Sequence, residues 1–107
     1  MKSSSANKVS LGDIIRIGGK RNPFVVVSSN VFNANAIIFY VCPIVQDAEM
    51  GPFHVKIEGK NGTLGIAICE NVIPINPDSL TIKREDHIPY AQVIEISDIL
   101  QGIFEYD

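Results

Sequence analysis

Residues 36–43 read Ala-Ile-Ile-Phe-Tyr-Val-Cys-Pro, an apolar run that predicts the central strand of a sheet. A shorter run at residues 24–27, Phe-Val-Val-Val, precedes it and is too short for a helix. Its lack of polar alternation indicates a strand that is buried on both faces. The polar, Asn-rich segment 28–34 between the two runs predicts a loop or a short helical turn. Two such strands so close together indicate a mainly β domain.

Further strands are predicted on both sides of these runs. Residues 14–17 form an apolar segment that ends at a Gly-rich turn over residues 18–23. Phe53, Val55 and Ile57 alternate with polar residues, which is the period of a half-exposed strand. The Asn-Gly pair at residues 61–62 predicts a hairpin turn into a next apolar strand at 64–69. Residues 71–75 predict a strand or bend, and residues 77–80 a helical turn.

The C-terminal segment changes its period. Pro89 suits the first turn of a helix, where its missing N–H costs nothing. Apolar residues then recur three and four positions apart, at Val93, Ile96, Leu100 and Ile103, which predicts one buried helical stripe. A strand over residues 90–96 is the alternative. The charged run before it, residues 83–87, predicts an exposed loop. A small, bent antiparallel sheet or barrel with a terminal helix follows.

Length and composition limit the class of protein. A chain of 107 residues corresponds to one domain, which we place at residues 10–107, after a polar tail at 1–9 that we expect to be disordered. The sequence contains neither an apolar run long enough to span a bilayer nor a stretch of signal-peptide type. We therefore expect a cytoplasmic protein without a membrane partner.

Charge and cysteine content narrow the class further. The formal net charge of −3 argues against strong non-specific binding to nucleic acid, although a dimer can concentrate its basic residues in one groove. Cys42 and Cys69 lie inside apolar strands, which indicates buried, reduced thiols. No Cys or His spacing of a metal site is present, so we expect neither a metal nor another cofactor.

Seven short motifs between residues 11 and 80 occur in the order and spacing of one known family. They are Gly12-Asp13-Ile14, Pro23 with the strand and serine at 24–28, Phe32-Asn33, Val41-Cys42-Pro43-Ile44, Pro52-Phe53-His54-Val55, the segment 65–71, and Ile75-Asn76. Together they resemble the PemK/MazF family of toxin ribonucleases, a branch of the CcdB/MazF superfamily.

The resemblance implies a fold, an activity and partners. The implied fold is a small SH3-like barrel of antiparallel strands with a C-terminal helix. The implied protein is the toxin of a type II toxin–antitoxin system, a sequence-specific, metal-independent endoribonuclease that cleaves mRNA. Members form homodimers, bind single-stranded RNA in a groove across the dimer, and bind a cognate antitoxin on part of the same surface.

Cleavage of this kind needs a base for the 2′-hydroxyl, a donor or cation for the phosphorane, and an acid for the leaving oxygen. The family supplies an Arg directly before the proline and a hydroxyl directly after the Pro-Ile pair. Here Asn22 precedes Pro23, with Arg21 one position earlier, and Val45 follows Ile44. The predicted site residues are Arg21, Glu70 and His54 for catalysis, and Lys20, Arg21, Asn22 and Asn71 for RNA binding.

Each of these residues also has a purely structural interpretation. Lys20 and Arg21 are typical of charged residues in a solvent-exposed turn. Glu70 is able to form an ion pair with a cation, and an outward-facing His54 on a strand is typical of a side chain that contacts only solvent. The alternative function is therefore a binding protein on the same scaffold that has lost RNA cleavage. An unrelated SH3-like adaptor is disfavoured, because an aromatic content of 7% is poor for a proline-rich ligand groove. The chain has no Trp, so the C-terminal Trp-Gly-Ile signature of the gyrase-inhibiting branch is missing.

Overall fold

The computed structural model describes residues 9–104, so residues 1–8 of the predicted tail at 1–9 lie outside this range. Val9 is half-buried and packs against the core. The strands are β1 Asp13–Ile17, β2 Phe24–Val26, β3 Phe39–Val45, β4 His54–Glu58, β5 Leu64–Ile68, β6 Ile73–Ile75 and β7 Ile82–His87. The helices are α1 Asn30–Asn35 and α2 Tyr90–Phe104, with a 3₁₀ turn at Pro77–Ser79.

The strands of residues 9–104 form one antiparallel sheet in the order β4-β5-β3-β2-β1-β7, and β6 pairs with β3. The apolar run at 36–43 supplies most of β3, which pairs with three other strands, so the prediction of a central strand is confirmed. The mainly β, SH3-like architecture with a C-terminal helix is likewise confirmed.

Both faces of the central strands are buried, because side chains alternate between two apolar clusters. The first cluster contains Ile14, Val25, Cys42, Ile44, Val55, Ile57, Ala67, Cys69, Ile88, Val93 and Ile96. The second contains Ile15, Ile17, Phe24, Val26, Phe39, Val41 and Ile75. The interpretation of 24–27 as a strand buried on both faces is confirmed for β2, whose three residues are all buried.

Helix α2 covers the first cluster. Val93 and Ile96 are its buried residues, and Leu100 packs against the same cluster, as the predicted stripe requires. The carbonyl of Pro89 accepts hydrogen bonds from the N–H groups of Gln92 and Val93 at the start of the helix. The helix prediction is confirmed and the alternative strand over 90–96 is wrong. Among residues 9–104, no helix combines the length and apolar character that crossing a membrane would need.

The charged run at residues 83–87 is a strand, so the prediction of an exposed loop is wrong there. It belongs to β7, which pairs with the free edge of β1 and carries the buried Asp86, 4% exposed. The N–H of Lys60 in the β4–β5 turn donates to the carbonyl of His87, at the end of β7, at 2.9 Å. This contact links the turn beside one end strand to the other end strand, although β4 and β7 do not pair within residues 9–104, so the sheet is barrel-like without closing.

The Phe32-Asn33 motif has a structural role in the segment between β2 and β3. Asn33 is 1% exposed and its amide donates to the carbonyl of Ser28, while the Ser28 hydroxyl donates to Asn33 Oδ1. The same hydroxyl accepts from the N–H of Tyr40. Ser29 caps α1 by accepting from the N–H of Phe32. The prediction of a short helical turn at 28–34 is therefore confirmed.

Candidate functional site

A cavity of about 510 Å³ opens where the 18–23 turn, the end of β3, the β4–β5 turn and β7 meet. We call it the arginine pocket, after Arg16 and Arg21 in its lining. Asn22, Val45 and Glu85 line it as well. Its volume lies within the range of about 300 to 1,000 Å³ that is typical of small-molecule sites. The pocket is therefore large enough for a nucleotide.

Arg16 connects the parts of this pocket. Its Nε donates to Glu85 Oε2 at 3.0 Å, and its Nη1 donates to the backbone carbonyl of Arg21 at 2.9 Å. The first contact fixes a carboxylate beside a guanidinium, and the second holds the 18–23 turn against the sheet. One side chain of β1 therefore positions both Glu85 and the turn that carries Arg21.

Glu85 reaches the pocket because the register of β1 and β7 shifts at this point. Ile14 pairs with Asp86 but Ile15 pairs with Arg84, so Glu85 is the extra residue of a β-bulge. Bulges turn a side chain away from the regular alternation and are frequent beside active sites. Asp86 can then point inward while Glu85 points to Arg16.

The pocket includes two of the predicted site residues. Arg21 and Asn22 both line it, whereas the predicted RNA-binding Lys20 is exposed on the turn outside the lining. Val45 presents an aliphatic wall at the position where the resemblance implied a hydroxyl. Thr63 lines the pocket too, but its hydroxyl bonds to the buried carboxylate of Asp86.

The other two predicted catalytic residues form a separate pair. His54 Nε2 lies 3.3 Å from the Glu70 carboxylate, and its Nδ1 lies 2.7 Å from the carbonyl of Glu49. Both ring nitrogens therefore face acceptors already. The pair lies at the end of β5, with Asn71 following Glu70, whereas Leu64 at the start of β5 lines the arginine pocket. The five residues of β5 separate these points by roughly 13 Å along the strand.

A single chain thus brings Arg21 to Arg16 and Glu85 rather than to Glu70. Sequence reasoning missed Arg16 and Glu85, because they are 69 positions apart and meet only through the β1–β7 pairing. One available signal was the single charged residue in the apolar segment at 14–17. A polar residue on one face of a strand marks the side that faces solvent or a site.

The cysteines belong to the core. Cys42 and Cys69 are free and fully buried, and the β3–β5 register carries them to opposite positions. A hydrogen bond to Cys69 and burial both raise the pKa of Cys42. A buried thiol that is held protonated is a poor nucleophile. Among residues 9–104, no three His, Cys, Asp or Glu side chains lie close enough to hold a metal ion.

The arginine pocket offers a defined set of chemical groups. Guanidinium groups donate in a planar fork that fits phosphate oxygens, and they stabilise the extra negative charge of a phosphorane. A carboxylate in the same cavity can accept the proton of a hydroxyl. The pocket can therefore bind a phosphodiester and promote attack on it.

Comparison with known proteins gives a family and a fold. The family model described as PemK-like, MazF-like toxin of type II toxin–antitoxin systems matches residues 9–104. No curated protein matches the chain in sequence. Among solved structures, MazE–MazF from Deinococcus radiodurans (Form-II) is 19% identical with a TM-score of 0.79, over 92% of this chain and 97% of that chain.

Two mycobacterial structures are also similar. An endoribonuclease in complex with its cognate antitoxin is 16% identical with a TM-score of 0.75, over 92% of this chain and 99% of that chain. The Mycobacterium tuberculosis toxin MazF-mt6 is 17% identical with a TM-score of 0.71, over 90% and 98% of the two chains. At these identities the structural matches establish the fold.

Proposed function

The chain belongs to the PemK-like, MazF-like toxin family of type II toxin–antitoxin systems, and on this premise we propose that it is a sequence-specific endoribonuclease. It would cut single-stranded mRNA in the cytoplasm without a metal ion or other cofactor. The observation that carries the proposal is the arginine pocket, in which Arg16, Arg21 and Glu85 line one cavity.

The proposed reaction is attack of the 2′-oxygen on the adjacent phosphorus. Glu85 accepts the 2′-hydroxyl proton, the new P–O bond forms, and the bond to the 5′-oxygen breaks. The leaving oxygen takes a proton from water, and the products carry a 2′,3′-cyclic phosphate and a 5′-hydroxyl. Arg21 stabilises the phosphorane, while Arg16 positions Glu85 and the turn that carries Arg21. The guanidinium groups take the role of the hydroxyl that Val45 lacks.

We further propose a homodimer and a cognate antitoxin as partners. The exposed apolar side chains of Val31 and Ile37, 76% and 77% exposed, support a surface that another protein covers. The mycobacterial relative named above was solved with its cognate antitoxin. In a dimer, His54 and Glu70 could meet the arginine pocket of the second copy, and Lys20 and Asn71 could then contact the bound RNA.

The experiment is incubation of the purified protein with mixed-sequence RNA in EDTA, followed by mapping of all new ends. We expect cuts at a short recurring sequence. Arg21→Ala and Glu85→Gln should each slow cutting by about 10²- to 10⁴-fold, as expected for loss of a charge stabiliser or a general base. Lys83→Ala and Glu95→Gln make the same charge changes at exposed positions outside the pocket and serve as matched controls.

Variants of the second pair separate the two possible arrangements. If Glu70→Ala and His54→Ala also abolish cutting, the active groove includes both protomers; if they do not, the arginine pocket acts alone. RNA that stays intact at every site, even with protein in excess, would refute the nuclease. RNA bound without cutting would support the alternative, a binding protein on the same scaffold.

A further inference from the structure

A second cavity, of about 380 Å³, shares Glu85 with the arginine pocket. It lies where the start of β1, the end of β7 and the β4–β5 turn meet. We call it the histidine cavity and define it by Asp13, Lys60, Arg84 and His87 in its lining. The proposed reaction uses none of these four residues, although the cavity adjoins the proposed site of cleavage.

His87 is held by a buried carboxylate. Its Nδ1 lies 2.9 Å from Asp13 Oδ1, and the Asp13 side chain is 2% exposed while that of His87 is 40% exposed. A carboxylate can only accept, so Nδ1 carries the proton and donates. Asp13 is itself fixed by the N–H of Ser10, which donates to Oδ2 at 2.8 Å. The imidazole therefore has a set orientation, and its Nε2 makes no hydrogen bond within residues 9–104.

The glycine of the Gly12-Asp13 motif gives the ring its room. A β-carbon at Gly12 would lie 3.2 Å from His87 Cε1, 3.4 Å from Nε2 and 3.0 Å from Val93 Cγ2. The φ angle of Gly12 is +93°, which other residues rarely adopt. The motif therefore places the His87 ring from two sides, since Gly12 leaves room beside its Cε1–Nε2 edge and Asp13 holds Nδ1.

The acidic groups of the histidine cavity are already occupied. Asp86 accepts from the backbone N–H groups of Asn61, Thr63 and His87, and Glu85 accepts from Arg16. Asp13 bonds to Ser10 and His87 and lies 3.7 Å from Arg84 Nη1. The groups that remain for a ligand are the cations of Lys60 and Arg84 and the Nε2 atom of His87.

Lys60 and Arg84 supply those cations. Lys60 is exposed and its side chain forms no ion pair within residues 9–104. The Arg84 side chain is 65% exposed, and within residues 9–104 it forms one ion pair, the 3.7 Å contact with Asp13. Lys60 and Arg84 are therefore two donors at one cavity that suit a phosphate oxygen. His87 can donate to the same oxygen from Nε2 only in its imidazolium form, because Nδ1 already donates to Asp13.

We propose that the histidine cavity binds a second phosphodiester of the same RNA strand, next to the one that occupies the arginine pocket. The proposal rests on the proposed function, because it assigns both cavities to one RNA substrate. Glu85 lies between the two cavities, so the RNA backbone would pass over it from Arg21 to Lys60. Binding at this second phosphate would fix the register of the strand relative to the cleavage site.

The test measures RNA binding separately from cutting. A labelled mixed-sequence RNA with 2′-O-methyl groups has no 2′-hydroxyl, so the proposed reaction cannot cut it. Its affinity is followed by fluorescence anisotropy at several salt concentrations. For single strands each lost phosphate contact lowers the slope of log K against log salt by about 0.7. We expect this reduction for Lys60→Ala and for Arg84→Ala.

The matched control is Lys83→Ala, which removes the same charge from β7 at a position that lines neither cavity. Its slope should equal that of the wild type. Equal slopes for Lys60→Ala, Arg84→Ala and Lys83→Ala, or no binding of this RNA by the wild type, would overturn the inference. Thermal melting of each variant checks that the fold is intact, and Lys60, which is exposed and in no ion pair within residues 9–104, is the safer of the two positions.

Nitrogen NMR gives an independent readout. The chain has two histidines, so their ring resonances are easily distinguished. Adding inorganic phosphate should move the Nε2 resonance of His87 but not that of His54, whose Nε2 faces Glu70. An unmoved His87 resonance would overturn the inference. A reduced slope without cutting of ordinary RNA would instead refute the proposed function alone, and cutting with unchanged slopes would refute this inference alone.

Discussion

Replacing Asp86 with Asn should destabilise the fold, because this buried carboxylate organises the β4–β5 turn. Its Oδ1 accepts from Asn61 N at 2.8 Å and His87 N at 2.7 Å, and its Oδ2 accepts from Thr63 N at 3.0 Å. An Asn side chain can keep the Oδ1 contacts, but its NH₂ group would then face the N–H of Thr63. One partly buried donor, the N–H of Thr63, loses its acceptor, which costs about 1 to 3 kcal/mol.

Two further effects partly cancel. The remaining two bonds lose the negative charge that strengthens them, whereas burying a neutral amide costs less than burying a carboxylate. We therefore expect the free energy of unfolding to fall by about 1 to 3 kcal/mol. Urea unfolding at pH 7 measures it. Asp98→Asn makes the same charge change on the exposed side of α2 and should stay within about 0.5 kcal/mol of the wild type.

The pH dependence follows from the direction of the pKa shift. Burial raises the pKa of Asp86, but the Thr63 hydroxyl and the backbone N–H groups of Asn61, His87 and Thr63 outweigh it and hold the pKa below its ordinary 3.8. The unfolded chain then binds the proton first, so this part of the stability is complete above pH 3.8 and is lost as the pH falls through the lowered value. The gap between wild type and Asp86→Asn should narrow below pH 3.8. Equal stability at pH 7, or a gap that widens in acid, would refute the reasoning.

Two further substitutions test the local packing. Gly59→Ala should lower the free energy of unfolding by about 1 to 3 kcal/mol, because the new β-carbon would collide with the Asp86 carboxylate. Gly102→Ala in α2 has open space around it and should raise the free energy of unfolding by about 0.5 to 1 kcal/mol. Thermal melts that rank the two variants in the opposite order would contradict the packing. Asn33→Ala should lower the free energy of unfolding by about 1 to 3 kcal/mol, since it leaves the Ser28 carbonyl and hydroxyl without their partner. Asn35→Ala, on the exposed end of α1, should lower it by less than half as much when both variants are unfolded with urea.

The elements that sequence reasoning predicted are those whose own residues carry the signal. The run at 36–43 and the shorter run at 24–27 are apolar throughout, and the spacing of Val93, Ile96 and Leu100 matches one face of a helix. These segments fold as predicted because burial of their own side chains is what stabilises them. The turn predicted at Asn61-Gly62 also depends on a local property, since Gly62 has a φ of +98°, which glycine adopts readily.

Strand β7 could not be recognised in this way. It carries the run Lys83-Arg84-Glu85-Asp86-His87, which shows no apolar alternation. Its strand conformation comes from the open edge of β1, and the burial of Asp86 comes from backbone donors in a turn about 25 residues earlier. The residues of β7 alone indicate neither the pairing with β1 nor the backbone donors of the β4–β5 turn, so their pattern predicted a loop.

Only part of the candidate site could be predicted from the sequence, for the same reason. Arg21 and Asn22 stand out beside Pro23, but Glu85 enters the pocket only through the bulge in β7. Arg16 looked like an ordinary outward residue of a strand. A site assembled from paired strands far apart in sequence depends on a register that local patterns do not specify.

That register explains how a pocket without a hydroxyl at Val45 can still be organised for the proposed phosphate chemistry. Arg16 lies on β1 and holds both Glu85 and the carbonyl of Arg21, so the distance between acid and guanidinium depends on one strand pairing. The bulge that turns Glu85 toward Arg16 also turns Asp86 inward, where it orders the turn that carries Lys60. A single irregularity in β7 therefore positions the arginine pocket and the histidine cavity together, and a change that removed it would be expected to disturb both.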